Sequence, residues 1–174
     1  MTDLRYPIGE FERLESLGNN ERETHIRNIA AAPARLRLAI AGLNKDQMNT
    51  PYRPGGWTVT QVVHHLADSH LNAYIRFKLA LTEDQPLIKT YQEHLWAELH
   101  DAIHAPIETS LSLMESLHTR WVMLLRSMPP SDFERKFTHP DSGVMKLHML
   151  LQLYSWHGRH HTTQITSLRE RSGW

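Results

Sequence analysis

Apolar residues recur at helical spacing in four long stretches of this chain, and nowhere do they alternate in the two-residue rhythm of a half-buried strand. The first stretch carries Ile26, Ile29, Ala30, Leu36, Leu38 and Ile40; Asn19 or Asn20 can cap it, and Gly42 lies near its end at about Leu43. Thr58 or Thr60 opens the second, which runs through Val59, Val62, Val63, Leu66, Leu71, Tyr74, Ile75 and Phe77 to about Leu81. Pro106 occupies a favoured first-turn position of the third, with Leu111, Leu113, Met114, Leu117, Trp121, Leu124 and Leu125, and Pro129-Pro130 ends it. The fourth extends from about Lys146 to Arg171. Four amphipathic helices can hide their apolar faces only against one another, so the expected fold is an all-α four-helix bundle.

The joining segments refine that expectation. Residues 1–19 read as an irregular arm with one helical turn around Glu10–Leu17. Pro33 lacks an amide donor and should kink or divide the first helix. The loop from Asn44 to Gly56 is short, which suits antiparallel neighbours, whereas residues 82–105, with one helical segment over Tyr91–His104, leave room for a long crossover between the second and third helices. Phe133–Val144, with Pro140 and Gly143, reads as a loop.

A chain of 174 residues fits one domain spanning 1–174, large enough to remove roughly 70% of its unfolded surface from water. Lys plus Arg equals Asp plus Glu at 19 each, so no whole-chain field draws it to nucleic acid or an anionic membrane. No apolar run approaches the roughly 18 residues of a spanning helix, and Met1–Pro7 lacks the apolar core of a secretory signal, so a cytoplasmic location is expected. There is no cysteine. That excludes disulfides, thiolate metal ligands and a cysteine nucleophile, and any metal site must be built from His, Asp, Glu and water.

Thirteen histidines are several times the usual density. Roughly one pair at i,i+4 is expected by accident at that density, so spacing alone is a weak motif. Two such pairs occur, His157/His161 and His100/His104. His157 and His161 continue the stripe Leu150, Leu153, Tyr154, Gln164, Ile165, Leu168, the face a bundle helix buries. His100 and His104 lie among Glu98 and Asp101 on a weaker stripe and read as solvated surface residues. In the second helix His65 shares a face with Val62 and Ser69, and His64 lies about 100° away.

Three imidazoles from two packed helices, His65, His157 and His161, would leave an open coordination position, the arrangement of a catalytic metal centre. Asp68 could orient a ligating imidazole through its second nitrogen. The competing reading makes His65 a core histidine hydrogen-bonded to Asp68 or to a neighbouring helix. His64 and His160 compete for ligand roles but point off the inferred core stripe, and Trp57 and Trp156 read mainly as core fillers. A site of neutral imidazoles should lose affinity below roughly pH 6.5.

Three runs carry a resemblance to a known family. They are Arg53-Pro54-Gly55-Gly56-Trp57-Thr58, then Val62 to His70 with Tyr74-Ile75-Arg76-Phe77-Lys78, and Tyr154-Ser155-Trp156-His157-Gly158-Arg159-His160-His161. Together with the opening Leu4–Gly9, they resemble the YfiT-type metal-dependent hydrolases of the DinB superfamily. The resemblance implies a four-helix bundle with a long crossover and one divalent metal ion per chain, zinc or else nickel, on His65, His157 and His161. It also implies a small-molecule substrate and a homodimer. The family resemblance allows either hydrolysis or metal-dependent transfer of a low-molecular-weight thiol in detoxification. A non-catalytic metal-binding module is the reading from a different class.

Overall fold

The computed structural model describes residues 3–174. Its long helices are α1 (Asn19–Ile40), α3 (Val59–Thr82), α6 (Ile107–Ser127) and α7 (Leu147–Ser172). Short helices α2 (Lys45–Met48), α4 (Glu93–Trp96) and α5 (His100–His104) lie in the connections. A 3₁₀ turn at Pro130–Glu134 leads into an antiparallel hairpin, β1 (Lys136–His139) and β2 (Gly143–Lys146), in which Phe137 faces Met145. This is the expected four-helix bundle with its long crossover between the second and third long helices.

Helix ends follow local chemistry. Thr58 caps α3: its side chain accepts from the Gln61 amide, while the Gln61 side chain accepts from the Thr58 amide at 2.9 Å. The first helix is capped by Gly18, just before the two asparagines, and the Gly18 amide donates to Glu21 Oε2 at 2.7 Å. Gly173 ends α7 at φ +70°, a left-handed conformation that a side chain would strain. Pro33 neither divides nor ends α1, which continues as one helix to Ile40. Substituting Thr58→Ala should lower unfolding stability by about 1 kcal/mol, measured by urea denaturation, because the Gln61 amide at the start of α3 loses its acceptor.

Packing departs from the sequence expectation in one respect. Helices α1 and α3 are not close-packed neighbours; each packs against both α6 and α7. The connection over residues 41–58 therefore crosses the bundle diagonal, with α2 docked on α3. The segment read as one helix over Tyr91–His104 is two, broken where the Gln61 side chain donates to the Ala97 carbonyl at 2.8 Å. Phe133–Val144 is not a plain loop. Its strands are four residues long, too short for a period-two pattern to show, and Phe137 anchors them fully buried.

No helical turn forms at Glu10–Leu17, because the arm's backbone finds side-chain partners on α7. Gln152 accepts from the Leu14 amide at 2.7 Å and donates to the Leu14 carbonyl at 3.0 Å. Phe11 packs on Trp156, Tyr6 on His160, and Gln164 donates to the Arg5 carbonyl at 3.0 Å. Residues 152, 156, 160 and 164 recur every fourth position, so one stripe of α7 grips the arm.

Two apolar clusters fill the bundle. One gathers Ile29, Phe77, Trp121, Phe133, Phe137, Leu147 and Leu150; the other Leu36, Val59, Val62, Leu66, Met114 and Ile165. On α3 and α7, residues of the two clusters are separated by polar side chains, His70 on α3 and His157 with His161 on α7, and His118 of α6 joins this layer beside Leu117. Buried imidazoles are costly unless each ring nitrogen has a partner.

Candidate metal centre

His65 comes from α3, and His157 and His161 from one face of α7. Their candidate ligand nitrogens all lie within 4.8 Å of one another. His65 Nε2 is 3.3 Å from His157 Nε2. Two nitrogens bound at 2.0–2.1 Å to one tetrahedral ion stand roughly 3.3–3.4 Å apart, so this pair already has the edge length of a coordination sphere. His100 and His104 are exposed, and their rings, 4.6 Å apart, join no such cluster.

Tautomers can be assigned from hydrogen-bond logic. The Arg5 carbonyl can only accept, so the Gln164 amide nitrogen faces it and the amide oxygen faces His161 Nδ1 at 2.8 Å. That nitrogen must carry the proton, which leaves the His161 Nε2 lone pair for the centre. The donor set thus suits a divalent metal: borderline imidazole nitrogens with no competing thiolate. Burial keeps the rings neutral. It depresses the His65 pKa to about 4, with His160 adding a smaller push. His157 and His161 are held well below 6.5, first by burial and then by neighbouring imidazoles.

The other predicted residues fall elsewhere. Asp68 forms no side-chain hydrogen bond with an imidazole among the described residues; burial and Asp101 raise its pKa to about 6. One turn along α3 it faces α5 rather than α7, so neither an orienting role at the centre nor a His65–Asp68 bond is present. His64 and His160 are buried despite lying off the core stripe. His64 Nδ1 pairs with Ser110 Oγ at 2.7 Å on α6, and His160 lies under the arm with Gln164 Nε2 donating to its Nε2 at 3.0 Å.

The centre opens into a cavity of about 440 Å³ lined by Tyr6, Arg53, Trp57, Glu93 and Trp156 with the three histidines. Trp57 is a wall rather than core filler, its ring 4.6 Å from that of His65 and 6.3 Å from that of His161. Glu93 gave no signal in the sequence because it reaches the cavity only through the crossover. A larger groove of about 860 Å³ lies between α1 and α6, but it is mainly apolar and its Arg37 and Glu115 are paired with each other at 2.7 Å. The imidazole cluster opens into the smaller cavity.

The family model described as the DinB superfamily matches residues 28–165. The chain belongs to the DinB superfamily. It is 53% identical over the full length of both chains to a Bacillus mycoides protein, and 54% to one from Bacillus cereus strain AH820, each named "putative metal-dependent hydrolase". Among solved structures it is similar to YfiT from Bacillus subtilis, at 48% identity and a TM-score of 0.96 over 98% of each chain. That protein is described as a probable metal-dependent hydrolase with an unusual four-helix bundle topology.

Proposed function

We propose that this DinB-superfamily chain is a metal-dependent hydrolase of a small-molecule substrate, with His65, His157 and His161 holding one divalent ion, zinc first and nickel second. The convergence of three neutral imidazole nitrogens at the floor of an open cavity carries this reading. A divalent cation held by these three imidazoles would supply Lewis acidity and would lower the pKa of a water, or of a cosubstrate thiol, toward neutrality. The protein's own residues do the remaining work. Trp57 and Trp156 exclude solvent from two sides. Glu93 is the carboxylate that lines the cavity, and the candidate to take up a proton. Arg53 is bonded to the Tyr52 hydroxyl and the Pro54 carbonyl, both neutral, and its charge, in no ion pair among the described residues, suits an anionic substrate group.

The absence of cysteine means that any transferred sulfur must arrive with a cosubstrate. The test begins with metal analysis of protein purified without chelator or nickel resin, where about one ion per chain is expected. Metal-loaded protein is then incubated with electrophilic substrates, with and without a small cellular thiol, and products are identified by mass spectrometry. Hydrolysis without thiol supports the reading; a thioether that requires protein, metal and thiol replaces it with S-transfer. Metal bound without turnover of either kind would favour a non-catalytic binding module.

A further inference from the structure

We infer that His70 and His118 are positioning residues which, anchored on the Ile29 carbonyl, fix the tautomer of His157 so that its Nε2 lone pair faces the metal centre. This rests on the metal-centre reading and assigns new roles to two histidines on other faces of the bundle.

The chain of contacts starts with Pro33. A residue four positions after Ile29 would normally donate its amide to the Ile29 carbonyl, and proline has none to give. His118 Nδ1, on α6, lies 2.7 Å from that carbonyl oxygen. A carbonyl only accepts, so His118 carries its proton on Nδ1 and presents a bare Nε2. His118 Nε2 lies 2.9 Å from His70 Nδ1; that nitrogen must therefore be the donor, and His70 Nε2 is bare in turn. His70 Nε2 lies 3.3 Å from His157 Nδ1. The proton of His157 thus belongs on Nδ1, and Nε2, the atom 3.3 Å from His65 Nε2, holds the lone pair. One acceptor-only oxygen decides three tautomers in sequence.

The surroundings are built for the relay. His70 is fully buried and His118 nearly so. Tyr154 and Trp121 meet the His70 ring edge to face at 5.1 and 6.0 Å. Gly158, one residue after His157, leaves room for it: a Cβ there would stand 3.4 Å from His70 Cε1 and 3.3 Å from Ala32 Cβ.

The decisive measurement is two-bond proton–nitrogen NMR of metal-free, full-length protein labelled on histidine nitrogen. His118, His70 and His157 should each show a protonated Nδ1 and a bare Nε2, the reverse of the tautomer a neutral imidazole prefers in water. An Nε2-protonated form at any of the three overturns the proposal. Zinc affinity, read by chelator competition, supplies the second arm. His70→Leu, which removes the acceptor, should weaken binding about 10–100-fold, whereas His70→Gln, whose amide can accept from His157 and donate toward His118, should stay near wild type. A folded His70→Leu protein with wild-type affinity overturns the positioning role. If that variant does not fold, the wild-type NMR result decides. Failure of the wild-type protein to bind zinc would sink the metal reading itself, and is visible apart from the tautomers.

Discussion

Replacing any one of His65, His157 or His161 with alanine is expected to abolish stoichiometric metal binding. Three neutral nitrogens converging at one point hold an ion together; two of them retain neither its geometry nor most of its affinity. The loss should exceed the roughly 10–100-fold typical of altering a residue that merely orients a ligand, and any metal-dependent activity should fall with it. His100→Ala and His104→Ala share the i,i+4 spacing but are exposed and outside the cluster, so they should bind like wild type. The measurements are metal content per chain by mass spectrometry and zinc competition titration, with circular dichroism to confirm folding. A folded His161→Ala protein that still carries one ion per chain would remove the basis of the assignment. The three positions should not behave alike in every respect. His157 also ends the buried relay through His70 and His118, and its removal leaves the His70 Nε2 lone pair in a dry core. His157→Ala should therefore be the least stable of the three when metal-free.

The convergence of His65, His157 and His161 was legible because two periodicities coincide. His157 and His161 sit on the buried stripe of a helix, and so does His65, so a bundle that packs α3 against α7 along those stripes brings them together. The same reasoning failed where position depends on which helices adjoin. A short connection suggested adjacency for α1 and α3, yet the bundle sets them on a diagonal with α6 and α7 between them. Asp68 had the right chemistry and the right proximity in sequence, but one turn along α3 the side chain faces α5 and Asp101. Glu93 and the arm reach the cavity through contacts between segments far apart in the chain, such as Gln164 with the Arg5 carbonyl. No local pattern encodes these. Pro33 is the most instructive case. It marks a break in helical hydrogen bonding that any reader of the sequence sees, but the consequence is an acceptor oxygen for His118, visible only when α1 and α6 are packed.

The second large effect expected is a steep loss of stability between pH 7 and 5, opposed by zinc. Burial holds His65 and His118 at about 4 and keeps His70, His157 and His161 well below the ordinary value. In the unfolded chain the same groups titrate near 6.5. Between those limits the unfolded state binds protons that the folded state refuses, so stability rises with pH, is fully present above the unfolded value, and is lost as pH falls toward the folded ones. Asp68 works the other way, since its folded pKa of about 6 lies above its unfolded value, but His25, His64, His139, His148 and His160 are lowered as well and add to the five. Each displaced histidine contributes up to about 1.4 kcal/mol per pH unit, and a domain has only about 5–15 kcal/mol to lose. Unfolding should therefore precede protonation of the native centre. This revises the expectation that affinity fades below the ordinary histidine pKa: burial keeps the ligands neutral to much lower pH, and the folded protein should still bind zinc at pH 6. At a free zinc concentration 100 times Kd the ion adds about 2.7 kcal/mol, which for a chain of this size raises Tm by roughly 5–11 °C. Scanning calorimetry from pH 7.5 to 5, with and without zinc, checks both parts. The metal-free Tm should fall steeply below pH 6.5, and zinc should move the acid transition to lower pH. A Tm that stays flat across that range would mean the imidazoles are not buried neutral, and a Tm indifferent to zinc at pH 7 would mean they do not form a metal site.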